Sequence, residues 1–359
     1  MNLIEMFALC KERNASDLHL SSNLPPLLRI AGRLEKFTNE PMSREEVKGA
    51  IYSLLNEEQK ERFEKEKELD FSVEIPNLAR FRANIYSQRR GESGAFRLIP
   101  LQVIPLSRLG LPKAVESFTT LLKGFVLVTG PTGSGKSTTL AAIIDVINQN
   151  RTEHIITIED PIEYVYENKK CLIDQREVGT NTGSFYGALR NALREDPDVI
   201  LVGEMRDLET ISMALTAAET GHLVFATLHT NNAPQTISRI VDVFPSAQQQ
   251  QIRTQLADTI AGIISQTLIP TVDGRGRVCA TEVMIGTPAI QNLIRDGKVY
   301  QIPSLIQTGK SLGMHSMDQS LESLFLQKRI SKEEAMKRAI NKEVFTKYQY
   351  GYTMESRVS

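Results

Sequence analysis

The stretch "FVLVTGPTGSGKSTTLAAII", residues 125–144, constrains this chain more than any other. An apolar run enters a loop with glycines at 130, 133 and 135, and the loop enters Lys136, Ser137 and a helix-forming segment. The spacing is G-x-x-x-x-G-K-[ST], satisfied by Gly130, Gly135, Lys136 and Ser137. A strand, a glycine turn and a helix in that order place the chain in the α/β class, with further parallel strands expected beside the first. In such a loop the glycines let successive backbone N–H groups converge on phosphate oxygens, while the following helix points its positive end at the same anion. Gly130, Pro131, Thr132, Gly133, Ser134, Gly135, Lys136, Ser137 and Thr138 are therefore the expected nucleotide cradle. Lys136 is expected to reach the β- and γ-phosphates of ATP, and the Ser137 hydroxyl to ligate Mg²⁺.

Hydrolysis at such a loop needs a carboxylate for the Mg²⁺ shell and a second group to position or deprotonate water. Two apolar runs end in acids. "VILVGEMRD" (199–207) delivers Glu204 in the Walker B position, where it is expected to hold the metal shell through water. "IITIEDPIEYV" (155–165) delivers Glu159, Asp160 and Glu163 around the turn that Pro161 forces. The residues alone leave these three open as the water-activating group. A third run, "GHLVFATLHTNN" (221–232), begins beside His222 and ends in His229. A neutral imidazole there could sense the γ-phosphate, although a lone histidine at a strand end is more often a surface or capping residue.

Strands are expected at 125–129, 155–159, 199–203 and 223–228, alternating with longer helices as in a mostly parallel sheet. The first hundred residues read differently, as a small mixed α/β unit. "LIEMFALCKERN" has helical spacing, and "PPLLRIAGRLEKF" reads as strand, turn at Gly32, and strand. "SREEVKGAIYSLLNEEQKERFEKEKE" reads as one helix opened by a Ser43–Glu46 capping box. "DFSVEI", "ARFRANIYSQ" and "GAFRLIP" follow as strands, separated by Pro76 and an "RRGESG" turn. The proline-punctuated stretch 99–112 reads as a linker. Beyond about residue 287 the chain reads as helical, with Thr287 as one cap and a Ser331–Glu334 capping box. Glutamines 248–251 are expected on an exposed helix, and the last nine residues are expected to be disordered.

With 359 residues there is room for two or three cores, and a formal charge of −1 gives no global signal for nucleic acid or an anionic surface. Cys10, Cys171 and Cys279 form no CxxC pair, which favours a reducing compartment over a zinc site or a disulfide framework. The N-terminus has the acid Glu5 and no long apolar core, so no signal peptide is expected. No run of about 18 apolar residues suggests a spanning helix. The expected location is cytoplasmic.

The motifs "GPTGSGKST", "IEDPIEY", "GEMRD" and "TGHLVFATLHTN", in that order, resemble those of the type II/IV secretion ATPase superfamily. The likeness runs from "ASDLHL" near the N-terminus to the C-terminal helices, and within the superfamily it is nearest the pilus-retraction branch. The region before the phosphate loop is about as long as one PAS-like domain, whereas extension and type II secretion ATPases carry an additional N-terminal domain. The tetracysteine module common in those relatives is absent from this sequence. "AIQNLIRDGK" (289–298) resembles a C-terminal element of retraction ATPases, with Gln291 and Asp296 where that element usually has Arg and Glu.

The resemblance implies a PAS-like domain at 1–98, a linker at 99–113, a RecA-like P-loop core at 114–287 and a C-terminal helical region at 288–359. It selects Glu163 as general base and Glu204 as Walker B acid, and gives His229 a nucleotide-sensing role. It implies a homohexamer with nucleotide between the PAS-like and RecA-like domains. Arg82 and Arg97, preferred over Arg80, would approach the γ-phosphate as cations that answer the charge building there. It further implies Mg²⁺-dependent ATP hydrolysis driving type IV pilus retraction, peripheral to the inner membrane through a pilus platform protein. No DNA, RNA or direct membrane insertion is expected. The alternatives are an accessory retraction ATPase, a secretion ATPase or, less in keeping with the charge, a nucleic-acid translocase. On periodicity Ala289, Ile290, Leu293 and Ile294 share one helical face, expected to pack on the core; a coupling role for the segment is the sharper reading.

Overall fold

The structure, a computed structural model, describes residues 2–348 apart from 31, 77, 100–102, 275 and 347. Part of the linker and the last nine residues, expected to be disordered, thus lie outside the described residues. The chain divides into two compact units, residues 1–102 with 163–165, and residues 103–162 with 166–359.

The first unit contains a six-stranded antiparallel sheet: β1 (Asp17–Ser21), β2 (Leu27–Ile30), β3 (Arg33–Lys36), β4 (Glu68–Ile75), β5 (Ala79–Gln88) and β6 (Gly91–Ile99), in the order β3-β2-β1-β6-β5-β4. Alternation in β5 sets the two faces. Ala79, Phe81, Ala83 and Ile85 are buried, whereas Arg80, Arg82 and Asn84 lie on the opposite face. The buried face packs on α1 (Leu3–Glu12), α2 (Arg44–Tyr52) and α3 (Glu57–Glu66), with Phe7 stacked on Phe81 at 4.1 Å between ring centroids. The single helix expected from residue 43 onward is two. Asn56 starts its own capping box with Gln59, offering the backbone N–H groups there a better partner than a continuing helix. The "RRGESG" turn is also shorter than expected: β5 and β6 pair through to Gln88 and Gly91, leaving only Arg89 and Arg90 in the turn.

The second unit is a seven-stranded sheet: β7 (Gly124–Thr129), β8 (His154–Glu159), β9 (Leu172–Glu177), β10 (Val199–Val202), β11 (Leu223–Leu228), β12 (Ile260–Pro270) and β13 (Arg277–Ile285). The order is β13-β12-β7-β11-β10-β8-β9, parallel except for β13, which returns antiparallel to β12. The four anticipated strands are its centre; β9, β12 and β13 were not anticipated. Alternate residues of β7 feed two cores. Phe125 and Leu127 join one, and Val126 and Val128 join the other. A short helix α4 (Ala114–Ser117) precedes the sheet, and α5 (Lys136–Asn150) packs in the second of these cores.

The first core takes α6 (Phe185–Ala192), α7 (Leu208–Glu219), α8 (Ala233–Asp242) and α9 (Ser246–Thr259), followed by α10 (Pro288–Arg295) and α11 (Ile302–Thr308). Helices on both faces of a parallel sheet leave the carboxyl ends of the strands open as the place for a site. The last helices, α12 (Met317–Leu326), α13 (Lys332–Arg338) and α14 (Glu343–Thr346), form a satellite core with Ile269 and Val278.

Thr287 caps α10 through the Ile290 N–H, as its sequence indicates. Ser331 caps α13, but the reciprocal half of the expected capping box is not formed, because Glu334 pairs with Lys337 and Arg338 instead. The glutamines at 248–251 lie on α9 and are exposed or half-buried.

Candidate nucleotide site

β7 hands the chain to the glycine loop at Thr129, whose hydroxyl donates to Ser265 Oγ on β12 at 2.9 Å. Gly130, Gly133 and Gly135 then take φ values of +142°, +76° and +91°, a path that side chains with a Cβ rarely follow. Gly130 also has no room: a Cβ there would sit 2.2 Å from the Gln266 carbonyl oxygen. α5 starts at Lys136 with Gly135 as its cap, which has no side chain to bond the helix's first amides. Those N–H groups, with the positive end of the helix dipole, are suited to an anion. The Lys136 ammonium lies over the loop, donating to the Gly130 and Pro131 carbonyls at 2.9 and 3.2 Å. A glycine loop, an uncapped helix start and a cation above it form a donor set that fits a polyphosphate.

Glu204 follows β10 and is stitched to its neighbour β11. Thr227 Oγ1 donates to the Gly203 carbonyl at 2.5 Å, and the Met205 N–H donates to the Thr227 carbonyl at 3.2 Å. The Glu204 carboxylate is held from both sides, by Arg206 Nη2 at 2.7 Å and His229 Nε2 at 3.1 Å. Burial pushes its carboxyl up. The Arg206 hydrogen bond and charge, then His229 and Lys136, outweigh burial and hold it below the usual carboxylate range. An ionised carboxylate in the field of Lys136 suits a divalent cation beside phosphate, with Ser137 on the first turn of α5 as a hydroxyl ligand. The other acid of this run, Asp207, has a structural role, capping α7 through the Thr210 N–H at 2.7 Å.

The three acids of the 155–165 run are separated by environment. Glu159 is buried and accepts from Thr157 Oγ1 at 2.7 Å and Gln175 Nε2 at 3.2 Å. Asp160 is exposed, and its charge adds to that of Glu204 in raising the pKa of Arg206. Glu163 is exposed on the loop beyond the cis Asp160–Pro161 bond. β9 anchors that loop on both sides of Glu163. Glu177, itself buried, accepts the Ile162 N–H at 3.0 Å, and Gln175 Oε1 accepts the Tyr166 N–H at 2.9 Å.

In the first unit, Arg29, Asp17, Arg97 and Arg82 stand in register across β2, β1, β6 and β5. Buried Asp17 binds Arg97 Nε at 2.9 Å and approaches Arg29 Nε at 3.6 Å. Arg82 is exposed and makes no ion pair among the described residues, while Arg80 is half-buried. On α10, Ile290 and Ile294 are fully buried in the first core of the second unit and Leu293 packs against it. Ala289, expected on the same face, is exposed instead, because it stands about 100° round the helix from Ile290, at the edge of the buried stripe.

The sequence reading missed Gln266, Gln175, Glu177 and Arg206. A glutamine inside the apolar run "IAGIISQTLIP" was the available signal for Gln266, since a polar side chain in a buried strand needs specific partners.

A parallel sheet with a glycine loop after β7, an acid after β10 and an imidazole after the strand between them defines a P-loop nucleoside-triphosphatase. The model of the family described as "Type II/IV secretion system protein" matches residues 6–327, and the chain belongs to that family. It is 52% identical over 339 residues to the type IV pilus retractation ATPase PilT of Pseudomonas aeruginosa, covering 94% of this chain and 98% of that one. It is 39% identical to the type IV pilus ATPase PilU of the same organism, covering 94% and 89% respectively. Among solved structures, the crystal structure of the pilus retraction motor PilT with bound ADP superposes with a TM-score of 0.90 at 47% identity, covering 96% of this chain and 98% of that one.

Proposed function

We propose that this protein is a Mg²⁺-dependent ATPase that powers type IV pilus retraction. The observation that carries the reading is the placement of the Glu204 carboxylate between Arg206 and His229, with the phosphate-loop Lys136 helping to hold it below the usual carboxylate range. The names of its similar relatives, a retraction ATPase and a retraction motor with bound ADP, support both the substrate and the work done.

Residues 130–138 bind the phosphates, with Lys136 on the β- and γ-phosphates. Ser137 and Glu204 hold Mg²⁺, which when bound neutralises charge on those phosphates. Glu163 is the general base: it is exposed on a loop anchored on both sides, whereas Glu159 is engaged within the sheet and Asp160, also exposed, stands in the field of Arg206. His229, bonded to Glu204, reports the occupancy of that carboxylate. Arg82 and Arg97 supply cations for the developing phosphoryl charge. The functional divisions are an N-terminal domain at 1–98, a linker at 99–113, an ATPase core at 114–287 and a helical region at 288–359.

The working form is a homohexamer at the cytoplasmic side of the inner membrane, engaging a pilus platform protein. Among the described residues no helix is long and apolar enough to cross a membrane. The greater identity to PilT than to PilU favours the retraction ATPase over its accessory relative. The test pairs phosphate release by the purified protein with complementation of twitching in a deletion strain. Wild type is expected to hydrolyse MgATP and restore twitching, and Lys136→Ala to do neither. Undiminished hydrolysis by Lys136→Ala would overturn the reading.

A further inference from the structure

Gln266 lies in the middle of β12, almost fully buried, one residue past the pairing of Ser265 with Thr129 at the end of β7. Both ends of its side-chain amide are engaged. Nε2 donates to the Ser134 carbonyl at 2.7 Å, and Oε1 accepts from Thr139 Oγ1 on α5 at 3.0 Å. Its backbone carbonyl meanwhile closes the space behind Gly130, where a Cβ would lie 2.2 Å from that oxygen. A Cβ on Gly135 would meet the same side-chain nitrogen at 3.2 Å. One residue from a strand outside the motif thus touches the start of the phosphate loop, its end and the first helical turns after it.

From this geometry we infer that Gln266 is the positioning residue of the phosphate loop, setting the direction of the amides that receive the nucleotide's phosphates. The inference rests on the proposed nucleotide site. The peptide between Ser134 and Gly135 is planar and trans, so its C=O and N–H point in opposite directions. Drawing the Ser134 carbonyl toward Gln266 turns the Gly135 N–H away from β12, on the side from which an anion can approach. The Ser134 carbonyl can only accept, so the NH₂ group must face it, and Oε1 is turned to accept from the Thr139 hydroxyl. A buried glutamine with both polar atoms matched in this way specifies one loop conformation, because any other leaves a buried donor or acceptor unpaired. The contacts are to a part of the loop shared by di- and triphosphate binding, so the effect belongs mainly to affinity and less to the chemical step.

The test uses the full chain with Gln266→Met, close in volume but without either hydrogen bond, and Thr139→Val, which removes only the bond to Oε1 and leaves that acceptor unpaired. Equilibrium binding of MgADP, the KM and kcat for MgATP, and thermal unfolding are measured for each. Expected for Gln266→Met is a tenfold or greater weakening of MgADP binding with a parallel rise in KM, and a smaller change in kcat. Thr139→Val should show the same pattern at a few-fold. A purely packing role would lower the melting temperature while leaving MgADP affinity unchanged well below it, and that result overturns the inference. If Gln266→Met does not fold, wild-type affinity in folded Thr139→Val overturns it equally. Failure of wild type itself to bind MgADP would instead refute the nucleotide-site reading, so the two failures are distinguishable.

Discussion

Gly130→Ala puts the phosphate-loop geometry to a quantitative test. The substituted Cβ would lie 2.2 Å from the Gln266 carbonyl oxygen and 2.6 Å from Ser134 Oγ. A close carbon–oxygen approach is about 3.3 Å, so the loop and β12 must part by about 1 Å. The backbone at φ +142° adds its own strain, of order 1–3 kcal/mol for a residue with a Cβ. Displacements of about 1 Å in a positioned site can cost on the order of 10²-fold in rate. The expectation is therefore weakened MgADP binding and phosphate release lowered by about 10²-fold, together with a stability loss of about 1–3 kcal/mol. Titration with a fluorescent ADP analogue, phosphate release and thermal unfolding measure the three effects. Gly133→Ala is the control for stability, since its Cβ meets no protein atom within 4 Å and the change carries only the backbone strain at φ +76°. Wild-type nucleotide affinity in folded Gly130→Ala would refute the claim that β12 confines the loop.

Two further substitutions probe the units separately. In the first unit, burial pushes the Asp17 carboxyl up, but hydrogen bonds from Ser16 and Arg97 and the charges of Arg97 and His19 hold it below the usual range. A depressed folded pKa contributes stability above the unfolded value, near about 3.9, and that contribution is lost as pH falls through the folded value. Asp17→Asn should thus be less stable than wild type at neutral pH, with the difference narrowing below about pH 4; a pH-independent difference in denaturant unfolding would count against the ion-pair account. In the second unit, Ile294→Ala removes a fully buried side chain from the core under α10 and should cost about 2–5 kcal/mol. A loss under about 1 kcal/mol would show that α10 is not packed as described.

How much was legible in the sequence depended on how local each signal was. The glycine loop, the central strands and the Thr287 cap are written in contiguous residues, and they are found where the sequence puts them. Asn56 was legible too, because Asn56 and Gln59 carry the spacing of a capping box, but the charge pattern across residues 43–68 masked the break. The supports of the site were not legible. Gln266 acts on a loop more than 130 residues earlier, and Glu177 acts on Ile162 only because β9 lies beside β8. Such pairings are set by sheet order, which periodicity does not reveal. The environments of Glu159, Asp160 and Glu163 likewise differ through tertiary contacts, although the three acids stand within five residues.

The central claim, that this site hydrolyses ATP with Glu163 activating the water, is tested most directly by Glu163→Gln in purified protein. That change keeps the side chain's size and removes its basicity. The expected result is MgATP binding within a few-fold of wild type and phosphate release reduced by at least about 10²-fold, within the range of a lost general base. Full turnover by Glu163→Gln would contradict the claim and return the role to another acid of the same run.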